Sequence, residues 1–417
     1  MNIFGEISLP GDKSLIHRYI FLASSLKGTS VLSNIILSED IKVSIEVMKS
    51  CGIKISILND KVYINGSNLR SPNKKLNCRE SGTSARLLFG FLTGHGINGE
   101  ILGEGNLNNR PMQRLITPLI KMNANIEKKR YLPIKVSSSS LNSIDFKLNI
   151  PSAQLKTSLL FAAYFSNNSI HLKGKVQSRD HTELLLKAFG AQLIVKNNSI
   201  FLESNQFYNC NNHIKANVPG DISSAAFLIV LSIVSTNSKL LLKNILLNKS
   251  RSSYIHILKN AGAKIEIRNI KKIMGEDVGD ILIRNSKLSA INVNSKTSPH
   301  VIDEIPALAI AALFCKEKSR FEGLKELIYK ESNRLDAILE NINMVGGVAK
   351  RSGYSLIISP IKRMHNTTIK TMSDHRIAMA FKVLGMLSKK NIVLDNESCI
   401  NKSFPEFINL TNKLCHG

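Results

Sequence analysis

The sequence predicts an α/β protein assembled from a repeated module, and three observations carry that expectation. One joint recurs, in which an apolar-periodic helix ends at a small residue or glycine and a β-branched strand begins. It reads Met48-Lys-Ser-Cys-Gly-Ile-Lys-Ile, Ile120-Lys-Met-Asn-Ala-Asn-Ile, Leu186-Lys-Ala-Phe-Gly-Ala-Gln-Leu and Leu258-Lys-Asn-Ala-Gly-Ala-Lys-Ile, with Asn343-Met-Val-Gly-Gly-Val a looser instance. The joints lie roughly 70 residues apart, longer than a solenoid unit, so each module is read as a βαβ unit carrying extra strands. The chain has 417 residues and is 43% hydrophobic, beyond the size at which one core usually divides, so two domains are expected. No Pro/Gly/Ser-rich linker separates them. The polar stretch from Asn197 to His213 has weak apolar periodicity, and a boundary is placed near Val218 to Gly220.

At the start of the chain, Glu6 and the Pro10-Gly11 turn interrupt the region where a secretory signal would carry a continuous apolar core, and a cytoplasmic location is expected. The apolar runs Ala225 to Val234 and Ile305 to Phe314 are too short to span a bilayer and read as buried helices, so no membrane partner is expected. Six cysteines (Cys51, Cys78, Cys210, Cys315, Cys399, Cys415) are scattered without a CxxC or Cys/His cluster, so free thiols are expected and no metal. A formal charge of +25 favours an anionic partner. Basic residues are nevertheless spread along the chain, Trp is absent and aromatics are 6%, which argues against base stacking and a nucleic-acid partner.

Several helices are expected to open with a polar turn, a capping side chain and a basic residue within one turn. Free backbone N–H groups and the positive end of the helix dipole make such starts receptive to anions. In chain order they are Gly11-Asp12-Lys13-Ser14, with Ser14 as N-cap and Arg18 on the same face; Glu80-Ser81-Gly82-Thr83, followed by Arg86; and Asn108-Asn109-Arg110-Pro111, with Pro111 at the first helical position. Pro151-Ser152-Ala153-Gln154, Ser178-Arg179-Asp180-His181, Pro219-Gly220-Asp221-Ile222, Ser373-Asp374-His375-Arg376 and Asn401-Lys402-Ser403-Phe404-Pro405-Glu406 continue the series. Ordinary capping accounts for Asp180, Asp221 and Ser373 taken singly, but the basic members together imply a substrate with more than one anionic group. No turn fits G-x-x-x-x-G-K-[ST] or a strand-borne G-x-G-x-x-G, so neither ATP nor a dinucleotide cofactor is indicated. Two acidic positions stand out. Asp303-Glu304 heads the apolar run from Ala307, where burial could raise a carboxylate pKa, and Lys330-Glu331-Ser332-Asn333-Arg334 reads on its own as a solvated, paired first turn.

The ordered set GDKSLIHR, ESGTSARLL, NRPM, SAQLKTSLL, SRDHTELLLKAFGA, PGDISSAAF, IDEIPALAIAA, KESNRL, SDHRIAMAF and KSFPEF, running from about residue 8 to about residue 410, resembles the enolpyruvylshikimate-phosphate synthases. The resemblance implies two similar domains, each of three βαβαββ modules with helices inside and sheets outside, an inside-out α/β barrel whose active site lies in the interdomain cleft. The implied domains are 13–218 and 1–12 plus 219–417. It also implies a monomer that uses no metal or cofactor and takes shikimate 3-phosphate and phosphoenolpyruvate. The 5-hydroxyl of the former attacks C2 of the latter while C3 is protonated, and the tetrahedral intermediate then loses phosphate. By the same resemblance Lys13, Ser14, Arg18, Ser152, Ala153, Gln154, Ser178, Asp303 and Lys330 hold shikimate 3-phosphate. Lys13, Gly82, Arg110, Gln154, Arg334, Arg376 and Lys402 hold phosphoenolpyruvate, as suits bidentate Arg forks and mobile Lys charges. Asp303 is the implied base for the 5-hydroxyl, and Lys13 and Glu331 are the candidates for proton transfer at the enol carbon and leaving phosphate.

Three departures from the family pattern bear on affinity. Glu80 stands where Asn is frequent and would repel phosphoenolpyruvate unless Arg79 or Arg86 pairs it; Asn333 replaces a frequent Asp; and Ala153 lacks a hydroxyl some members carry. The sister transferase acting on UDP-N-acetylglucosamine is disfavoured because Gly103 to Arg110 contains no cysteine. A basic nucleic-acid-binding protein remains the alternative of a different class, and steep salt-dependent retention on DNA without turnover would mark it.

Overall fold

A computed structural model describes every residue except Ser67, 205–212 and Gly417, with backbone alone for Cys415 and His416. Its contacts divide the chain into two units. One comprises Gly11–Val218 with Lys272–Glu276, and the other comprises Met1–Pro10, Pro219–Lys271 and Asp277–Gly417.

In the 11–218 unit three four-stranded sheets share one strand order. Lys215–Asn217 pairs parallel with Thr29–Ser33, which pairs antiparallel with Lys61–Asn65, which in turn pairs antiparallel with Lys54–Leu58. Leu76–Asn77, Gly99–Leu102, Ile134–Ser137 and Asn125–Ile126 repeat the order, as do Ile144–Leu148, Ile170–Gly174, Ser199–Leu202 and Leu193–Lys196. In the second and third sheets this is a parallel βαβ crossover extended by an antiparallel hairpin, the βαβαββ module; in the first, the parallel partner Lys215–Asn217 returns from the far end of the unit.

The 219–417 unit contains two sheets of the same kind. One holds Asn2–Ser8, Asn237–Leu246, Glu276–Arg284 and Lys264–Ile273, and the other Asn292–Val293, Ser319–Phe321, Ser355–Ser359 and Val348–Ser352. Its last module is shorter. Thr367–Ile369 pairs parallel with Ile392–Leu394, and the helix Phe407–His416 follows with no hairpin appended.

The first helix of each module is the buried one. Leu15 to Ala23, Leu155 to Phe165 and every residue of Ile305–Ala312 are buried, as are nearly all of Ile222–Val234 and most of Gly82–His95 and His375–Leu387. The sequence makes this possible because these segments are apolar all round, whereas helices such as Gln113–Lys121 carry one apolar stripe. Gly90 lets two buried helices touch backbone to backbone, since a Cβ there would lie 2.1 Å from the Ser158 carbonyl oxygen. The outer faces of the sheets are exposed, with Ile57, Leu58, Ile194, Val195 and Ile270 reaching solvent. No described helix is long and apolar enough to cross a membrane. Cys51, Cys78, Cys315 and Cys399 are buried free thiols, while Cys210 and the Cys415 side chain lie outside the described residues.

Candidate functional site

In the 11–218 unit the candidate residues collect at the N-termini of neighbouring helices. The helix Lys13–Ala23 is capped by Asp12, whose carboxylate accepts from the Leu15 N–H at 2.9 Å. This corrects the expectation of Ser14 as N-cap: both residue types cap well, and the acid two residues earlier takes the position. Ser14, now inside the helix, accepts from Arg18 Nη1 through its hydroxyl at 3.0 Å and its carbonyl at 2.8 Å. Arg18 is 1% exposed and also donates from Nε to Thr182 at 2.9 Å and from Nη2 to Thr157 at 2.8 Å. Lys13 lies at the mouth of the same turn, its Nζ 2.8 Å from Asp40.

Ser81 caps the helix Gly82–His95. A Cβ on Gly82 would sit 2.7 Å from Arg86 Nη1 and 3.2 Å from Arg110 Nη1, so two guanidinium groups converge on the bare glycine. Burial, and behind it the neighbouring Arg110 charge, push Arg86 down to about 10, which still leaves it charged at neutral pH. Such a pair of like charges at a helix N-terminus is receptive to a phosphate or carboxylate. Gln154 bridges the elements, accepting from Arg86 at 3.1 Å and donating to Thr83 at 2.9 Å. Ser152 caps the helix Ala153–Phe165 through the Leu155 N–H, and Ala153 is its first residue. Ser178 precedes the helix His181–Ala188.

Arg110 itself is not followed by a helical proline, as had been expected. A 3₁₀ turn, Gly105–Asn109, comes before it, and the next helix starts at Gln113 after Met112, leaving Pro111 in the connection. The pairing proposed for Glu80 is also redirected. Arg79 is bound by Glu39 and Glu46, Arg86 donates to Gln154 and the Gly82 carbonyl, and Glu80 Oε1 accepts from the Asn106 N–H at 3.4 Å.

In the 219–417 unit the charged residues interlock. Arg334 is 1% exposed and forms a two-pronged bond to Asp374, Nε–Oδ2 at 2.8 Å and Nη2–Oδ1 at 3.2 Å. It further donates to Glu331 at 2.5 Å and to Asp303 at 3.2 Å. Lys330 reaches the same Asp303 oxygen at 3.2 Å, and Arg376 donates to the Asp303 carbonyl at 2.9 Å. Burial would raise the Glu331 carboxyl, but Arg334, His375 and Lys330 outweigh it and hold it well below the usual carboxylate range. Asp374 moves the same way against the same opposition from burial, chiefly because of Arg334. Arg334, which burial alone would deprotonate more easily, is held above its ordinary value by Glu331, Asp374 and Asp303.

The KESNR segment is therefore no solvated first turn. Its Asn333 caps the helix Arg334–Met344 through the Asp336 N–H, a task Asn performs as well as Asp, and Arg334 is withdrawn into the unit. Asp374, not Ser373, caps the helix His375–Leu387, and Ser373 lies in the left-handed region with φ 53°. Lys402 ends the 3₁₀ helix Glu397–Lys402, near the Cys399 thiol, whose pKa burial raises and the Lys402 charge lowers against Asp374. Asp374, Asp40, Thr157 and Thr182 were missed as contributors, although all but Asp40 lie in motifs singled out by the sequence, and Arg86 was named at its helix start without being assigned a substrate. Among the described residues no group of three His, Cys, Asp or Glu side chains is arranged to hold a metal ion.

This architecture is that of the enolpyruvyl transferases. The enolpyruvyl transferase NikO from Streptomyces tendae superposes with a TM-score of 0.78 at 12% identity, covering 99% of this chain and 95% of the other, a likeness of fold alone. The family itself follows from four further matches. Residues 1–410 match the model of EPSP synthase (3-phosphoshikimate 1-carboxyvinyltransferase). A 3-phosphoshikimate 1-carboxyvinyltransferase of Alkaliphilus oremlandii is 37% identical over 99% of this chain and 97% of its own length, and one from Oceanobacillus iheyensis is 37% identical over 98% and 96%. The EPSP synthase of Acinetobacter baumannii, solved at 2.37 Å, aligns with a TM-score of 0.90 at 30% identity, covering 99% of this chain and 96% of that one. The chain belongs to the EPSP synthase family.

Proposed function

We propose that the two sets of residues described above carry out the family's reaction in this chain, transfer of the enolpyruvyl group of phosphoenolpyruvate to the 5-hydroxyl of shikimate 3-phosphate with release of phosphate. The observation that carries the reading is the convergence of Arg86 and Arg110 on Gly82 at a helix N-terminus, and the carboxylates held beside cations in the other unit support it. Arg86 and Arg110 at Gly82 suit the phosphate or carboxylate of phosphoenolpyruvate, and Arg18 with Ser14 suits the phosphorylated ring. Asp303 takes the proton of the attacking 5-hydroxyl as its oxygen bonds to C2. Lys13 or Glu331 delivers a proton to C3, which gives a tetrahedral ketal phosphate. Loss of a C3 proton with the C2–O–phosphate bond then yields the enol ether and inorganic phosphate.

Arg334 and Arg376 orient Asp303, since one donates to its side chain and the other to its carbonyl. Lys402 and Gln154 complete the proposed phosphoenolpyruvate set, and Ser152, Ala153, Ser178 and Lys330 the proposed shikimate 3-phosphate set. The protein acts as a monomer in the cytoplasm in this reading.

The test is phosphate release by the full chain given phosphoenolpyruvate and shikimate 3-phosphate without added divalent metal, with UDP-N-acetylglucosamine in a parallel reaction. Release with the shikimate alone, falling by about a thousandfold in Lys13→Met, is the expected result. Release with the sugar nucleotide alone would transfer the chain to the sister activity.

A further inference from the structure

We propose that the buried pair Lys156–Glu183 is a positioning element that fixes recognition of shikimate 3-phosphate by pinning the Ser178 segment beside the Arg18 cradle. The inference deepens the reading above and rests on its assignment of Ser178 and Arg18. The geometry is doubled. Lys156 and Thr157 are consecutive on the helix Ala153–Phe165, and Thr182 and Glu183 are consecutive on the helix His181–Ala188. The two threonines meet at 2.6 Å and hold Arg18. Their neighbours form a second tie, Lys156 Nζ to Glu183 Oε1 at 2.5 Å, with the two side chains 2% and 3% exposed.

The lysine spends its remaining donors on the segment leading to Ser178. Nζ donates to the Val176 carbonyl at 3.1 Å and towards the Ser178 carbonyl at 3.4 Å, so its three protons meet one carboxylate and two main-chain oxygens. That segment is irregular, lying between the strand Ile170–Gly174 and the helix at His181, and has no ladder of its own to fix it. Ser178 Oγ, shielded from solvent, has no hydrogen-bond partner among the described residues. A hydroxyl left without a protein partner on a backbone held by a buried cation is arranged for a ligand. Stability is a poor explanation for the pair, because a buried ion pair rarely outperforms apolar side chains of similar volume, and Glu183 Oε2 also lacks a partner among the described residues.

The experiment measures binding of shikimate 3-phosphate to the full chain by calorimetry, together with the KM for phosphoenolpyruvate. Lys156→Met alone strands a buried carboxylate and is expected to fold poorly, so the informative variant is the double replacement Lys156→Met with Glu183→Leu. It is expected to unfold as cooperatively as the parent, to bind shikimate 3-phosphate about tenfold or more weakly, and to keep its KM for phosphoenolpyruvate within about twofold. A folded double variant that binds shikimate 3-phosphate as tightly as the parent overturns the inference alone. Equal losses for both substrates, or a double variant that fails to fold, assign the pair to general structure and overturn it as well. A parent chain that binds no shikimate 3-phosphate overturns the functional reading and this inference with it.

Discussion

Arg18 and Arg334 are both sealed from solvent, each in a different unit, and the chain secures them in opposite ways. Arg18 rests in a cradle of neutral oxygens from Ser14, Thr157 and Thr182. Arg334 is gripped by the carboxylates of Asp303, Glu331 and Asp374. The hydroxyl oxygens that orient Arg18 carry no formal charge, whereas the oxygens around Arg334 belong to carboxylates. Around Arg334 an arriving anion has to compete with carboxylates already in place. The partner best able to yield is Glu331, 43% exposed, while Asp374 is fully buried. In the reaction proposed above, one cluster receives charge and the other exchanges it.

Substitutions can break that contrast. The largest effect is expected from Arg334→Met, which leaves buried carboxylates without their cation and should lower stability by about 3–5 kcal/mol, read from urea unfolding. A loss below about 1 kcal/mol would mean that Arg334 is as dispensable to folding as its counterpart. Arg18→Met should change stability by no more than about 1 kcal/mol, because Thr157 and Thr182 already bond each other, yet lower kcat/KM for shikimate 3-phosphate by about a hundredfold.

Acid should act on the two regions through different groups. The depressed carboxyls of Glu331 and Asp374 contribute stability that is present above the ordinary carboxylate pKa and is lost as pH falls through their folded values. His17 and His95 behave otherwise. Burial pushes each down to about 3, so the unfolded chain takes up protons near the ordinary histidine value of 6.5 while the folded chain does not, and stability declines as pH falls from there towards 3. A urea-midpoint profile should therefore slope downward from about pH 6 to about pH 4, and His95→Gln should flatten part of that slope. A slope unchanged in His95→Gln would show that the imidazole is charged in the fold. The smallest effect is expected from Glu80→Asn. Removing a carboxylate near the converging Arg86 and Arg110 should lower the KM for phosphoenolpyruvate about two- to fivefold, and a rise would show that the Glu80 contact to Asn106 shapes the loop instead.

The repeat was legible because its joint is a local requirement. Gly52, Gly190, Gly262 and Gly346 all adopt φ between 83° and 99°, a region that disfavours side chains, and Asn123 serves at the one joint without glycine, with φ 71°. The buried first helices were legible from their uniform apolarity. Partners distant in sequence were not legible. Nothing near Arg334 announces Asp374, 40 residues on, and nothing near Arg18 announces Thr157 or Thr182, 139 and 164 residues away. Capping residues were ambiguous wherever two good caps adjoin, as at Asp12 and Ser14. The shortened last module left no mark in the apolar pattern.

The strand Asn2–Ser8 pairs with Asn237–Leu246, and the main chain at Met1 is tied to Thr236, 235 positions later. On the ribosome the strand and its partner are made far apart in time. Asn2–Ser8 is translated before residues 11–218, yet it belongs to the unit whose other strands follow Val218. Until its partner strand is translated, Asn2–Ser8 waits with its hydrogen-bonding edge bare and Phe4 in solvent. The Gly5 and Glu6 at its centre make it a poor template for other chains during that wait.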